Sequence, residues 1–161
     1  MILFGGILVL VLSGCAGIAE IRRDEFIKTI GPNPGLTPEE VVHIQMTAFE
    51  YNDEANAGIE IAYRFASPAN KTSVGSLRRY IRLINSMAFR PMLGPKSVMY
   101  DEAIVTGDAA KVRIYLTSHS GYEIVYVFTL TNQSSDSCDG CWMTDNVYIE
   151  RVLELEKQSS A

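Results

Sequence analysis

The amino-acid sequence predicts an α+β domain, with helices in its first half and an antiparallel sheet in its second. Before Pro95, apolar residues recur at the spacing of a helix. After Pro95 they alternate with polar residues, as in half-buried strands. Helices grouped ahead of a sheet are typical of α+β folds, whereas α/β folds alternate the two kinds of element.

The composition fits one folded domain and argues against a nucleic-acid partner. The chain has 161 residues, is 47% hydrophobic and carries a formal net charge of -5. This length suits a single core, and the apolar content excludes a disordered chain. Nucleic-acid binding requires clustered Lys and Arg to neutralise phosphates, and the sequence shows no such cluster.

The N-terminal segment predicts attachment to a membrane. No charged residue precedes Glu20, and residues 2–12 form an apolar run. Leu12-Ser13-Gly14-Cys15 follows and resembles a bacterial lipobox, which implies that Cys15 becomes the lipid-modified first residue of the mature chain. We therefore expect a signal segment at residues 1–15 and a protein anchored in a lipid membrane on the exported side, periplasmic or lumenal.

Two alternatives to the lipobox remain open. Residues 2–19 are uncharged, and this length is near the lower limit of the ~17–25 residues that a spanning helix needs. An uncleaved anchor is thus one alternative, although four glycines weaken it. The end of a eukaryotic targeting peptide is the other, but such peptides are rich in Arg. The segment also lacks the Lys or Arg that normally precedes the apolar run.

A tether is expected at residues 16–36, because residues 31–35 form a turn cluster of Gly, Pro and Asn. The domain should follow at 37–152, with a short tail at 153–161. Thr37 begins a capping box, with Pro38 at the first helical position and Glu40 reaching back to the amide of Thr37. One face of this first helix, which we call its stripe, should be buried, and it is formed by Val42, Gln45, Met46 and Phe49.

Two more helices are predicted, which makes three. The second should end at Ser67-Pro68, because proline disfavours helix in the preceding residue. Its stripe is Gly58, Ile61, Ala62 and Phe65. The third should begin at about Val74, and its stripe is Leu77, Tyr80, Ile81 and Ile84.

The second half of the sequence predicts four strands. The first covers residues 97–105. The next two form a hairpin around Ser120-Gly121 and have one apolar face each. The last covers 142–152 and should be bulged near Asp145-Asn146. The apolar faces of the hairpin are Val112, Ile114, Leu116, Tyr122, Ile124, Tyr126, Phe128 and Leu130.

Three segments of the sequence carry a resemblance to a known family. They are residues 57–68 (AGIEIAYRFASP), 89–93 (FRPML) and 140–145 (GCWMTD). They resemble a domain-of-unknown-function family, four-eight-six-four, of bacterial and plant proteins, over about residues 36–151. Three helices followed by a sheet also look like the cone-shaped nuclear-transport-factor-two and ketosteroid-isomerase superfamily. That resemblance implies three helices packed on a curved antiparallel sheet, but the superfold hosts enzymes, binders and assembly modules alike.

The superfamily resemblance suggests a ligand pocket inside the cone. Tyr63, Tyr126 and Trp142 are the candidate lining residues, with Arg90 near the mouth, although aromatic residues at strand spacing more often belong to the core. Isomerase-type members use a carboxylate base with a tyrosine donor. The apolar hairpin face contains no carboxylate, and Glu123 lies on the opposite face.

The sequence favours a binding module over an enzyme. It contains no ordered Ser/His/Asp set, no phosphate-binding glycine loop and no metal-ligand cluster, and we expect no cofactor. We predict a domain that binds a small apolar ligand or another protein. An isomerase-like or hydrolytic enzyme is the alternative.

Cys138 and Cys141 have the spacing of a redox pair, but they lie in a loop rich in Ser, Asp and Gly. A redox pair needs a helix N-terminus to lower the pKa of its thiol. Two thiols also supply only half of the ligands of a structural zinc. With Cys15 modified, two cysteines remain in an oxidising compartment, which favours a disulfide. Free thiols and a redox or metal function stay open.

The second face of the hairpin predicts a homodimer. Tyr115, Val125 and Val127 lie on that face, which would meet water if the helices cover only the other side of the sheet. A semi-apolar surface of this kind is typical of association between copies of a chain. We expect a two-fold dimer through this face.

Overall fold

The computed structural model describes residues 29–134 and 138–154. The chain divides into two units, Met1–Ile30 and Gly31–Ala161. Only Thr29 and Ile30 of the first unit are described, so the fold below is that of the second. No helix among the described residues is long and apolar enough to cross a membrane.

From Pro38 onward, the described residues form four α-helices ahead of the sheet. The capping box predicted for the first is present: the Thr37 hydroxyl accepts from the Glu40 amide, and the Glu40 carboxylate accepts from the Thr37 amide at 2.8 Å. The stripes predicted for the first two helices are buried. The helices are α1 (Pro38–Glu50), α2 (Ala57–Arg64), α3 (Pro68–Val74) and α4 (Leu77–Ile84), and a 3-10 helix follows at Arg90–Met92.

The helix that the sequence did not predict is α3, so the described part holds four helices instead of three. Ser67 caps this helix, because its hydroxyl accepts from the Asn70 amide at 3.1 Å, and Pro68 occupies the first helical position. We expected Ser67-Pro68 only to end α2. The helix has 7 residues, mostly polar, and therefore shows no apolar stripe.

The sheet is antiparallel and has five strands in the order β1-β3-β4-β5, with β2 also paired to β3. The single strand predicted at 97–105 is two strands, because the chain between them leaves the ladder at residues 101–103. The strands are β1 (Ser97–Tyr100), β2 (Ile104–Thr106), β3 (Ala109–Thr117), β4 (Tyr122–Asn132) and β5 (Trp142–Glu154).

Two bulges interrupt β5. Asn146 pairs with Thr129 and Thr144 with Leu130, so Asp145 has no partner in β4. This confirms the bulge predicted at Asp145. A second, unpredicted bulge leaves Glu150 without a partner. Because a bulge adds one residue to one strand, it changes which side chains share a face.

The core lies between the helices and one face of the sheet. We call this face, which carries Ile124, Tyr126 and Phe128, the helix-side face, and the opposite one the outer face. The apolar residues predicted for the core face are buried, except Tyr122, which is 39% exposed at the start of β4. The Tyr126 hydroxyl donates to the Ala88 carbonyl at 2.7 Å, which ties β4 to the turn after α4.

Gly58 is where α2 approaches α1 most closely. A Cβ atom at this position would lie 1.9 Å from the carbonyl oxygen of Ala48. The Asn52 side chain also accepts from the Ile59 amide at 3.0 Å, which fixes the start of α2. The predicted stripe of α2 therefore includes a glycine because α1 leaves no room there for a side chain.

Candidate functional site

Two of the three segments that carry the family resemblance meet at Thr144. The Thr144 amide donates to the Phe65 carbonyl at 2.8 Å, and the Thr144 carbonyl accepts from the Ser67 amide at 2.9 Å. These bonds make an isolated parallel bridge between Ala66 and Thr144. The chain after α2 is thereby joined to the start of β5.

Two buried amide side chains complete this joint. Gln45 Nε2 of α1 donates to the Thr144 hydroxyl at 2.7 Å, and Asn70 Nδ2 of α3 donates to the Thr144 carbonyl at 3.0 Å. Gln45 is 1% exposed and Thr144 2%. An unpaired group at such a site would cost ~1–3 kcal/mol. Thr144 is thus a polar connection between the helices and the sheet.

A cavity of about 210 Å³ lies beside this joint, between the helices and β5. Phe49 and Ile84 are buried in its wall, whereas Leu83 and Asn146 are exposed. The cavity therefore opens between α4 and β5. Its apolar lining is Phe49, Val74, Ile84, Phe89, Met92 and Val147, with Leu83 at the mouth.

Tyr80 brings to this cavity a hydroxyl that has no partner among the described residues. Its side chain is 6% exposed, and its hydroxyl makes no hydrogen bond to a described residue. Every fully buried side-chain nitrogen or oxygen in the described part is hydrogen-bonded. The Tyr80 hydroxyl must therefore retain access to the cavity. Burial raises the pKa of Tyr80 well above its usual value, so the hydroxyl stays protonated and acts as a donor.

Asn70 supplies the other polar side chain of the lining. Asn70 uses its Nδ2 for Thr144, and its Oδ1 accepts no hydrogen bond from a described residue. Asn146 also lines the cavity, but it pairs with Thr129, whose side chain belongs to the outer face. The cavity thus offers a neutral donor and a neutral acceptor. The described lining includes no carboxylate, histidine or cysteine. Across residues 29–134 and 138–154, no cluster of three metal-binding side chains occurs.

None of the four residues predicted to line a pocket is among the described lining residues of this cavity. The Tyr63 hydroxyl donates to the Gly75 carbonyl at 2.7 Å, and its ring lies 5.2 Å from that of Tyr80. Tyr126 is buried, with its ring 6.2 Å from that of Phe89.

The remaining two of the four lie nearer the surface. Arg90 is exposed in the 3-10 helix, and Trp142 is partly buried at the start of β5 opposite Asn132.

The predicted dimer face is less accessible than the alternation of residues suggested. Val125 and Val127 are 1% and 2% exposed, and Tyr115 is partly buried. Their ladder neighbours include the long side chains of Arg113 and Arg151, and long side chains cover apolar surface while their charged ends stay in water. The dimer itself is still a prediction.

A charged cluster lies on the outer face of the sheet. Arg113 donates to both carboxylate oxygens of Glu150, at 2.8 and 2.9 Å, and lies 3.5 Å from the Asp101 carboxylate. Asp101 also accepts from the Tyr115 hydroxyl at 3.1 Å. The hydrogen bond and charge of Glu150 raise the pKa of Arg113. These groups hold one another in place on the outer face, and the Glu150 carboxylate stays partly exposed to solvent.

Cys138 and Cys141 are joined as a disulfide, with their Cα atoms 5.6 Å apart. Cys141 is buried, and its carbonyl accepts from the Gln133 amide at 2.8 Å. The pair therefore closes a loop beside the β4–β5 connection. Its oxidation in the exported protein is a prediction. The lipid site at Cys15, the signal segment and most of the tether and tail lie outside the described residues.

The sequence model of the family described as Domain of unknown function (DUF4864) matches residues 35–155, well over half of the chain. The chain belongs to this family. The family resemblance that was read from three segments is therefore confirmed for DUF4864. Thr144, Tyr80 and the rest of the cavity all lie within the DUF4864 match. No curated protein and no solved structure matched the chain.

Tyr80, Asn70 and Asn146 border the cavity, although the sequence did not predict them as site residues. The sequence predicts Tyr80 on the buried stripe of a helix. A buried tyrosine needs a partner for its hydroxyl, so this position could have indicated a polar site nearby. Asn70 was hidden by the unpredicted helix α3. Asn146 lies beside the bulge at Asp145, which the sequence predicts, but no pattern in the sequence predicts that this residue borders a cavity.

Proposed function

We propose that this DUF4864 domain binds a small, mainly apolar molecule that carries an oxygen acceptor. The observation that carries the proposal is the Tyr80 hydroxyl, which has no partner in the described part and opens onto the cavity, while the rest of the Tyr80 side chain is buried. Without a ligand this hydroxyl can bond only to water, which a suitable ligand would displace. A carbonyl or ether oxygen of a ligand would accept its hydrogen bond.

The size of the cavity limits the ligand. An apolar cavity of ~150 Å³ in a protein is large enough for benzene. The cavity here, at about 210 Å³, suits one ring with a short substituent. It is smaller than the ~300–1,000 Å³ of sites for drug-sized molecules. The exposed mouth at Leu83 and Asn146 gives such a molecule a route of entry.

The lining favours binding over catalysis. Acid–base isomerisation needs a carboxylate or histidine within reach of the substrate. The described lining contains neither, and Tyr80 has a raised pKa that keeps it from acting as a base. We therefore place the enzymatic alternative second. We also propose the cone-shaped arrangement of the nuclear-transport-factor-two and ketosteroid-isomerase superfamily for this domain, and a binding role would suit that arrangement.

The proposal also includes the location of the domain. A lipid-modified Cys15 would hold the domain at a membrane on the exported side, where the cavity would meet small apolar molecules that partition between membrane and water. The support for this part is the sequence Leu12-Ser13-Gly14-Cys15 after an apolar run.

Acetophenone and ethylbenzene are suitable probes, because they have similar shapes and only the ketone can accept a hydrogen bond. We expect calorimetry on the full chain to show roughly fivefold to tenfold tighter binding of acetophenone, the equivalent of one hydrogen bond. Tyr80→Phe should remove this preference and leave ethylbenzene binding unchanged. Tyr122→Phe, at a partly exposed tyrosine outside the lining, is the matched control.

Val147→Phe tests the cavity itself. Val147 pairs with Phe128 and so points to the helix side, where a larger side chain would occupy the space of the ligand. Both probes should then lose affinity while the protein stays folded. If the folded Val147→Phe variant binds both probes as tightly as the wild type does, the cavity is not the binding site. A preference for acetophenone that survives in Tyr80→Phe would refute the role of the hydroxyl.

A further inference from the structure

The outer backbone edge of β5 has no partner from Asn146 to Glu154 among the residues described. β4 occupies one side of this strand, and the bridge to Ala66 covers only its start. Sheets commonly block a free edge with lysine, with proline or with bulges. β5 contains no lysine or proline over its 13 residues, but it has two bulges, and the one at Glu150 lies within this edge. No described residue bonds to the outer amide and carbonyl groups here, so a strand that matches the bulge could pair with them.

Apolar side chains are exposed on both faces of this edge. Tyr148 and Leu153, which pair with Val127 and Glu123, lie on the outer face and are 39% and 43% exposed. Ile149 and Val152 pair with Tyr126 and Ile124 on the helix-side face and are 36% and 51% exposed. A strand added to this edge would cover apolar surface on both faces at once.

We propose that two copies of this chain pair antiparallel along this edge, about a two-fold axis between Glu150 and Arg151. In this register Ile149 lies opposite Val152 of the second copy, and Tyr148 lies opposite Leu153 of the second copy. The second copy is the occupant because the edge is complementary to itself: apolar side chains lie opposite apolar side chains on each face, and Glu150 lies opposite Arg151. The two sheets then form one continuous sheet.

The bulge at Glu150 makes this register possible. In a regular strand, Ile149 and Val152 would point to opposite faces, because side chains alternate. The extra residue places both on the helix-side face, and it places both Tyr148 and Leu153 on the outer face. Each apolar pair across the two-fold axis therefore shares a face, as a continuous sheet requires.

Charge selects the same register. Arg151 makes no ion pair with a described residue, and it would lie opposite Glu150 of the second copy. Shifting the pairing by one residue would place Glu150 or Arg151 opposite its own copy, and like charges directly opposite are destabilising. A dimer through the outer face would gain little, because Val125 and Val127 are already buried and expose almost no apolar surface.

Charge reversal with rescue tests the pairing in the full chain, solubilised in mild detergent and followed by sedimentation over a concentration series. The wild-type chain should form a dimer whose fraction rises with concentration, as for a small interface. Glu150→Arg alone and Arg151→Glu alone should each weaken it by about tenfold, because each change occurs twice in a symmetric dimer. The double variant should restore it. Arg113→Gln removes the ion pair of Glu150 within its own chain but keeps the Glu150 charge, so this variant should keep the dimer and controls for the loss of that pair. Glu54→Arg, in an exposed loop, is the control.

A wild-type chain that stays monomeric, or a dimer indifferent to both single reversals, overturns the proposal. So does a folded double variant that fails to regain the dimer. Should a reversal prevent folding, an equimolar mixture of the single variants Ile149→Cys and Val152→Cys gives a second measurement. A short bis-maleimide should link two copies at dimer mass, and absence of the link in the folded variants counts against the edge. If Val125→Glu abolishes the dimer and the changes at Glu150 and Arg151 do not, the dimer forms through the outer face and the proposal is wrong.

Discussion

Glu39 connects the start of α1 to the turn ahead of β2. Its carboxylate accepts from the Ala103 amide at 2.8 Å. Burial raises the pKa of this carboxyl, but hydrogen bonds from the amides of Ala103 and Glu39 and from the Thr37 side chain outweigh it, so the pKa of Glu39 is lowered. A carboxyl with a lowered pKa stabilises the fold above its unfolded pKa, and that contribution disappears as the pH falls through the folded value.

Glu39→Gln should therefore lower stability near neutral pH and have a diminishing effect in acid. The amide cannot ionise, so the variant loses the charge-assisted bond to Ala103 at neutral pH. Urea unfolding between about pH 7 and about pH 3 measures the difference, which should vanish at the acid end. Glu54→Gln, in an exposed loop, should give a curve that tracks the wild type. A pH-independent loss in Glu39→Gln would contradict the assignment.

At the scale of elements, the contact between α1 and α2 depends on a missing side chain. Replacing glycine by alanine inside a helix usually stabilises it by roughly 0.5–1 kcal/mol. At Gly58 the new methyl group would meet the carbonyl oxygen of Ala48 at 1.9 Å. A backbone atom cannot move aside as a flexible side chain would, so the clash outweighs the gain in helix propensity.

Gly58→Ala should therefore destabilise the domain by about 2–3 kcal/mol or more, the upper part of the range for overpacking. The free energy of unfolding from urea titration measures this effect. Gly31→Ala is the matched control, since no atom lies within 4 Å of a Cβ there. A Gly58→Ala domain as stable as the control would mean that α1 and α2 are not packed this closely.

The elements also show what the sequence could and could not predict. α1 and the β3–β4 hairpin were predictable because a capping box and a regular alternation are local signals. The helix α3 was missed because its start signal, Ser67-Pro68, was read as a stop. Tyr80 was correctly placed on a buried stripe. Its role could not be predicted, because the space beside it depends on which residues of the bulged strand β5 lie opposite.

At the scale of the whole molecule, anchoring and binding are expected to reside in separate parts of the chain. The domain from Thr37 onward contains the joint at Thr144 and the cavity, whereas the predicted lipid site at Cys15 precedes it. A change at Cys15 should thus alter location without altering the fold.

Cys15→Ala should abolish incorporation of labelled palmitate in a bacterial host and shift the protein out of the membrane fraction. One acyl chain alone holds a protein only weakly, whereas several chains give stable attachment. The unfolding midpoint of the variant should equal that of the wild type. Cys138→Ser is the thiol control and should keep its label. Unchanged labelling in Cys15→Ala would refute the lipobox and favour an uncleaved anchor.

The joint at Thr144 sets the order of events when the chain is made. Gln45 and Thr144 are 99 residues apart, and at ~5–20 residues per second the ribosome adds the threonine roughly 5–20 s after the glutamine. Throughout that interval the amphipathic helices have no β5 to pack against. The native core therefore closes only after synthesis of the last strand, and a chain truncated before Thr144 would leave the ribosome with its apolar helix stripes uncovered.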